Sequence, residues 1–451
     1  MFYLNILIMK SKKNIKKYKS SRRKITNADI KINVKKIYGG VLTQSNEIIK
    51  QKLDKINNSD DRLNLLMSEC SLIDFQYDPC YRVAFIGATT NFFKLGYTTI
   101  RELMKISEDK RPTITLGLPQ GVKSTPEIVR DIAPPNHKPN LLFRNWTMSS
   151  KELPLTEEQE LASLIEFFNG SYSAFLVPPI QDRIKYGKLY ARAVIAAKIK
   201  RAVMIGVQYT PDYCHKIGIP IPSIGRDSYE LFNEMDKILI DHNHNDFKYV
   251  CLNLPMFLEN LMYQEKRLKH HNSFAWPQHV CSPFAYITSE DVGKISALFL
   301  SNFDNTLEKI PEKFYHRVNK FRIEMTFAGG VTTAGNVCRL FSKYLKRPIT
   351  YHEQTSPNFK QELKDYLEKD DEFAQQIVDL HNLIDNGHDI IEHVIQYETL
   401  NLGLSENEDI EKWISDRSNC FINEAKCTYP LPPENHQAPL PTQNISVYTI
   451  F

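Results

Sequence analysis

The chain has 451 residues, 42% of them apolar and 24% charged, with a formal net charge of +4. That is long and apolar enough to bury a sizeable core, which excludes wholesale disorder and leaves room for one large α/β domain with additions or for several domains. Twelve lysines and arginines lie between Lys10 and Lys36 against one acid, Asp29. The remainder is therefore net acidic, which argues against nucleic-acid binding by the folded body.

Residues 1–36 read as a basic, solvated, disordered arm. Its opening, MFYLNILIM, is apolar for only nine residues and precedes the charges, so it has neither the order of a secretory signal nor the length of a membrane span. A targeting presequence and a nuclear-import tract in KKYKSSRRK are the other readings, so the expected location is cytoplasmic, or nuclear by way of the arm. Residues 37–80 form an N-terminal extension with a helix expected around Asp60–Ser68.

From Tyr81 strand and helix patterns alternate. In YRVAFIGATTNFFKLGYTTIREL (Tyr81–Leu103) an apolar strand breaks at Gly87-Ala88-Thr89, an irregular segment runs to Gly96, and helical spacing resumes at Ile100 and Leu103. That is the layout of a strand, a phosphate-binding turn and a helix N-terminus. Strands are expected at Thr113–Leu118, around Asn140–Phe143, at Ser173–Val177 up to Pro178-Pro179, and at Ala202–Val207. Helices are expected at Leu161–Phe168 and Tyr186–Lys200. The alternation predicts an α/β fold with a doubly wound parallel sheet, Rossmann-like, covered by helices on both faces.

The second half adds a helix at Tyr229–Ile240, a strand at Tyr249–Leu254 ending before Pro255, and a helix start with Ser289 as N-cap. Residues 321–350 offer a strand, a Thr-Ala-Gly turn and a helix ending at Lys346-Arg347-Pro348, followed by a strand at Ile349–His352. Phe359–Ile395 reads as a strongly helical, amphipathic segment whose apolar residues pack a core. The folded part is expected to span 81–425, with a smaller C-terminal α+β subdomain drawn from 255–286 and 321–425. Residues 426–451 form a Pro-rich, weakly ordered tail.

Eight scattered cysteines (Cys70, Cys80, Cys214, Cys251, Cys281, Cys338, Cys420, Cys427) without a CxxC read as reduced thiols of an intracellular protein. No metal site is expected. Asp241–His244 reads as a polar turn, and His388–His393 has one residue too many between its first His and Glu392 for a zinc helix.

Several segments together resemble the NmrA-like family, atypical members of the short-chain dehydrogenase/reductase superfamily with an NAD(P)-binding Rossmann fold. Besides the GAT turn, AFLVPP (Ala174–Pro179) looks like that family's fourth strand and AVIAAKIKRAVMIGV (Ala193–Val207) its next helix and strand. YVCLNLPMFLENLM (Tyr249–Met262) is similar to its strand, proline, aromatic and Glu-Asn sequence. AYITSEDVGKISALFL (Ala285–Leu300) and TTAGNVCRLFSKYLKRPITY (Thr332–Tyr351) continue the series. The resemblance spans Tyr81 to Phe421.

It implies a dinucleotide as ligand. Gly87, Ala88, Thr89, Thr90, Asn91, Phe92, Phe93 and Gly96 would hold the pyrophosphate, Asn145 and Trp146 would flank the adenine, and Val177, Pro178, Pro179, Pro255, Met256, Phe257 and Leu258 would line the nicotinamide side, supported by Asn260. The turn departs from the family's GATGxxG: Thr90 replaces the central glycine, and three extra residues precede Gly96. Family resemblance favours NADP, with NAD as the alternative; Lys123 is the nearest cation to a 2′-phosphate.

Catalysis has no assigned residue. The Tyr-xxx-Lys pair of short-chain dehydrogenases, in which lysine lowers the tyrosine pKa for proton transfer, is missing. Phe232 stands where active relatives place a lysine, Tyr186 and Tyr190 lie on a remote helix, and Tyr209 and Lys237 are the remaining candidates. The expected function is that of a redox-sensing or regulatory protein with a regulatory protein partner and little or no dehydrogenase activity. The alternatives are an NAD(P)H-dependent reductase of a quinone or other small carbonyl compound, and a nucleotide-free scaffold.

Overall fold

In the computed structural model the chain divides into two units, 1–69 and 70–451. The described residues all belong to the second: 81–86, 95–107, 110–119, 141–146, 154–178, 183–218, 221–244, 246–367, 371–386, 395–396 and 409–422. The basic arm, the expected helix at Asp60–Ser68 and the Pro-rich tail lie outside them.

Six parallel strands build the centre of the main sheet: β1 (Arg82–Ile86), β2 (Thr113–Pro119), β3 (Leu141–Trp146), β4 (Ser173–Leu176), β5 (Arg201–Val207) and β6 (Lys248–Leu254). Their order is β3-β2-β1-β4-β5-β6. β11 (Arg322–Ala328) extends the sheet in parallel beside β6, and β10 (Tyr315–Val318) closes that edge antiparallel. In β5 only the first residue escapes full burial, as a parallel strand covered on both faces requires. The order reverses between β1 and β4, the switch point outside whose carboxyl ends open α/β sheets bind ligands.

Helices cover both faces. α1 (Leu95–Met104) and α7 (Ser289–Glu308) pack on each other and on one face, burying Ile100, Leu103, Val292, Ile295 and Phe299 with Val83, Phe85, Val203 and Val250. The approach is close: a Cβ on Gly293 would stand 2.7 Å from the Thr98 carbonyl carbon. Along the chain between them lie α2 (Glu157–Phe168), α3 (Arg183–Ala196), α4 (Pro211–Ile217), α5 (Ser223–Asp241) and α6 (Glu265–His271). α2 starts at a capping box of Thr156 and Gln159 and turns Leu161, Leu164, Ile165 and Phe168 inward. α3 packs on both α2 and α5.

A second hydrophobic core gathers the remaining elements: β7 (Met256–Phe257), β8 (Ser273–Trp276), β9 (Pro283–Ile287), β12 (Gly330–Thr333), β13 (Thr350–Glu353), α8 (Ala334–Leu345), α9 (Ser356–Leu367), α10 (Asp371–Asn386) and α11 (Ile410–Arg417). β12-β9-β7 and β13-β8 form small sheets, and β14 (Ile395–Gln396) pairs with the end of β11. Phe274, Trp276, Phe341, Trp413 and Phe421 fill the centre of this core.

Three expectations change. The described part of the segment read as helical over Phe359–Ile395 forms the helices α9 and α10, with Phe359 and Leu363 sharing a core with Ile377, Leu380 and Ile384, while Ile395 itself lies in the strand β14. The N-cap of α7 is Thr288, not Ser289: Thr288 is extended and its hydroxyl accepts from the Asp291 N–H, while Ser289 is already helical. Cys214, Cys251, Cys281 and Cys338 are free thiols, but Cys420 is disulfide-bonded. Pairing depends on how close the fold brings two Cα atoms, which scattered spacing does not encode.

Candidate functional site

The carboxyl ends of the strands carry short, buried segments. β1 ends at Ile86 beside Leu176 of β4. Of the turn that follows β1, Gly87, Ala88, Thr89, Thr90, Asn91, Phe92 and Phe93 lie outside the described residues, as do Lys123 and Pro179. Gly96 is the second residue of α1 and is buried. Asn145 and Trp146 form the end of β3, in register with Leu118 and Pro119 of β2. Val177 and Pro178 leave β4 half-buried, while Pro255, Met256, Phe257 and Leu258 are fully buried after β6. The set from Pro255 to Leu258 is fixed by β7, which pairs with β9 through Met256–Tyr286 and Phe257–Ile287.

Glu259 anchors what comes next. Its carboxylate accepts the Ser289 N–H at 2.9 Å, placing a negative charge at the N-terminus of α7, where the helix dipole favours it. Asp291 lies in the same first turn and accepts from the Thr288 hydroxyl at 2.8 Å.

After β5 the chain runs Gln208-Tyr209-Thr210. Gln208 binds the end of β6 through its backbone N–H to the Leu254 carbonyl, and its side chain donates to the Tyr213 hydroxyl at 2.9 Å. Tyr209 is buried, edge-on to Tyr213. Burial pushes its phenol well above the ordinary range, with Tyr213 and Cys214 adding to the shift. A dehydrogenase tyrosine needs the opposite perturbation. The first turn of α5 rides directly on this segment, since a Cβ on Gly225 would come within 1.7 Å of the Tyr209 carbonyl oxygen.

Lys237 is elsewhere. It lines a cavity of about 570 Å³ with Asn233, Asp236, Ile240, Asp241, Arg317, Asn319, Lys320 and Phe321. Phe321 immediately precedes β11, so this cavity lies at the amino ends of the parallel strands, away from the end that holds Tyr209 and Pro255. Tyr186 and Tyr190 are buried on α3, and Tyr186 donates to Glu160 of α2.

A buried charge cluster on the α5 side of the sheet was not read from the sequence. Arg322, fully buried, contacts Glu324 at 3.1 Å and Asp236 at 3.1 Å, and donates to Asn233. Glu324 also faces Asn253 and Thr210, each at 3.4 Å. Burial raises the carboxyl pKa of both Asp236 and Glu324, and Arg322 pulls each back down. Phe232 belongs here as well: the Arg322 guanidinium lies 5.4 Å from its ring centre. The missed signal was the period-two pattern of Arg322, Glu324 and Thr326, which marks one polar face on an otherwise apolar strand.

Among the described residues no group of three His, Cys, Asp or Glu could hold a metal ion, and no helix is long and apolar enough to cross a membrane.

No protein-family model and no curated protein matches the chain. Solved structures do. A nucleoside-diphosphate-sugar epimerase from Staphylococcus aureus is similar with a TM-score of 0.52 at 14% identity, over 74% of this chain and 99% of its own. An NADPH-dependent quinone oxidoreductase from Escherichia coli is similar with a TM-score of 0.50 at 16% identity, over 74% and 98%. The Citrobacter sp. triphenylmethane reductase complexed with NADP(H) has a TM-score of 0.50 at 12% identity, over 75% and 100%. Strand order, switch point and these likenesses agree on the fold: a doubly wound, Rossmann-type parallel sheet, as in those proteins.

Proposed function

We propose that this chain binds a nicotinamide dinucleotide, NADP in preference to NAD, outside the carboxyl ends of β1 and β4, and serves as a redox-sensing or regulatory protein with little dehydrogenase activity. Support for the ligand comes from the fold, from similar proteins whose names carry NADPH or NADP(H), and from two features of this chain that suit such a group. The N-terminal turn of α1 follows the switch point with a buried glycine at its second position, which suits a pyrophosphate. The Pro255–Leu258 segment is pinned between two sheets, as a wall for a flat ring requires. When bound, the nicotinamide would supply or accept hydride; the chain's own contribution is to hold and shield it.

The observation that carries the regulatory reading is the state of the candidate donors Tyr209 and Lys237 and of Phe232, where active relatives place a lysine. Tyr209 is buried among groups that raise its pKa, and Phe232 stacks beneath an arginine already committed to two carboxylates. Lys237 opens onto the opposite end of the sheet. Without a positioned donor, reduction of a carbonyl loses about 10²–10⁴-fold.

Two measurements test this. At 100 times Kd a ligand adds about 2.7 kcal/mol to stability, so NADPH or NADP is expected to raise the melting temperature; no shift at millimolar NADPH, NADP or NAD favours the nucleotide-free scaffold. Turnover of NADPH with a panel of quinones and aldehydes is expected to stay below about 0.1 s⁻¹, and a faster rate favours the reductase reading.

A further inference from the structure

Asn260 lies six residues past the end of β6, in the first turn of the 3-10 helix Leu258–Gln264. It is 4% exposed, and neither Nδ2 nor Oδ1 has a hydrogen-bond partner. Among the described residues no other side-chain amide is buried with both ends unpaired. Buried amides in folded proteins find partners, and an exception calls for a ligand, a water or an ion to complete it.

The surroundings hold the residue in place. Glu259 is bonded to the Ser289 N–H. Phe257 is buried in the core beneath α1 and α7, while Leu258 and Leu261 are buried in the other core. The segment is thus clamped on both sides, with Asn260 held inside it. A residue that merely supported the Pro255–Leu258 loop would hydrogen-bond to its neighbours; here Glu259 does that, and Asn260 does not.

We infer that Asn260 reads an amide-type edge, a carbonyl oxygen with an N–H beside it, on the molecule held at the carboxyl end of β6. Such a group satisfies both orphaned ends together: Nδ2 donates to the ligand carbonyl and Oδ1 accepts from the ligand N–H. A ketone or quinone leaves Oδ1 bare. The inference rests on the dinucleotide reading above. The amide has two sources, the carboxamide of the cofactor's nicotinamide ring or that of a second ligand.

The test is calorimetric titration of the full chain with NADP, with its 3-acetylpyridine analogue, in which a methyl replaces the amide nitrogen, and with 2′-phospho-ADP-ribose, which lacks the ring. NADP is expected to bind about tenfold more tightly than the analogue, as a buried amide left half-paired penalises the poorer ligand. Asn260→Leu is expected to abolish that difference and leave 2′-phospho-ADP-ribose unaffected. Benzamide added to the NADP-saturated protein probes the second source: binding to the wild type and not to Asn260→Leu assigns the amide to a second ligand and supports the inference equally. Equal affinity for NADP and the analogue, together with benzamide that fails to bind or binds both proteins alike, overturns it while leaving the dinucleotide reading intact. Failure of both NADP and 2′-phospho-ADP-ribose to bind overturns both. Because the NADP-to-analogue comparison needs only the wild type, a variant that does not fold leaves the outcome decided.

Discussion

On the face of the sheet under α1 and α7, the strands present Val83, Phe85, Phe175, Val203, Ile205, Val250, Leu252, Met325 and Phe327 to a continuous apolar core. On the α5 side, β6 and β11 present Tyr249, Cys251, Asn253, Arg322, Glu324 and Thr326, tied into ion pairs and hydrogen bonds with Asp236 and Thr210. The same strands therefore serve two kinds of interior. An apolar face degrades by increments, because each side chain contributes its own buried area. A charged face is interdependent: each member is tolerable only while the others are present.

Arg322→Ala breaks this comparison most directly. It leaves Glu324 and Asp236 buried without their cation and is expected to cost about 3–5 kcal/mol, read as a lower urea midpoint. Replacing Arg322 with Met and Glu324 with Leu together is expected to recover much of that loss, a non-additivity that double-mutant cycles detect. Ile205→Val on the apolar face is expected to cost about 1 kcal/mol and to add independently. If Arg322→Ala costs no more than Ile205→Val, the two faces are alike after all.

The two faces also differ in how closely backbone approaches backbone. Gly225→Ala would bring a Cβ within 1.7 Å of the Tyr209 carbonyl oxygen, whereas at Gly293 the nearest atom is 2.7 Å away. Both substitutions overpack, and about 3 kcal/mol is expected for Gly225 and about 1–2 for Gly293. Gly225→Ala should also disturb the strand end at Tyr209, so its effect on NADPH affinity is expected to exceed that of Gly293→Ala. Equal shifts in both measurements would mean that α5 moves as easily as α7.

Polar groups are buried in a third manner in the second core. His381 packs between Trp276 and Phe359 with Nδ1 3.0 Å from Gln278 Oε1, and burial lowers its pKa from 6.5 to about 3. In this window the unfolded chain takes up a proton that the folded chain refuses. The stabilisation is therefore complete above pH 6.5 and lost as pH falls toward 3, at up to about 1.4 kcal/mol per unit. Urea midpoints from pH 8 to pH 5 should show this slope, amounting to about 2 kcal/mol by pH 5. His381→Phe should flatten it; an unchanged slope would assign the acid sensitivity to other groups.

The sequence carried the strand order further than it carried the site. Runs such as RVAFI and RAVMIGV are apolar on both faces, and that pattern follows from parallel packing alone, so β1 and β5 were legible from local chemistry. Pro255 to Leu258 was singled out by resemblance, and in the structure the segment is buried after β6. Arg322 and Glu324 were invisible as a pair with Asp236, because the cluster joins β11 to α5 across more than eighty residues and no local spacing announces it. The bond from the Ser289 N–H to Glu259 was out of reach for the same reason, being a tertiary contact between residues thirty apart.

The cap of α7 gives the smallest test and a sharp one, since Thr288 and Ser289 are adjacent hydroxyls of which sequence pattern chose the second. Thr288 accepts from the Asp291 N–H and donates to the Asp291 carboxylate, so Thr288→Ala removes a cap and half-strips a buried acid. About 1 kcal/mol is expected. Ser289→Ala leaves that pair untouched, and its N–H still reaches Glu259, so it should cost less. Because α7 is also the helix that holds Glu259, the Thr288 variant should loosen the Pro255–Leu258 segment, visible as faster amide exchange at Leu258 and Leu261. A larger penalty for Ser289→Ala than for Thr288→Ala would return the cap to Ser289 and detach the helix from the proposed site.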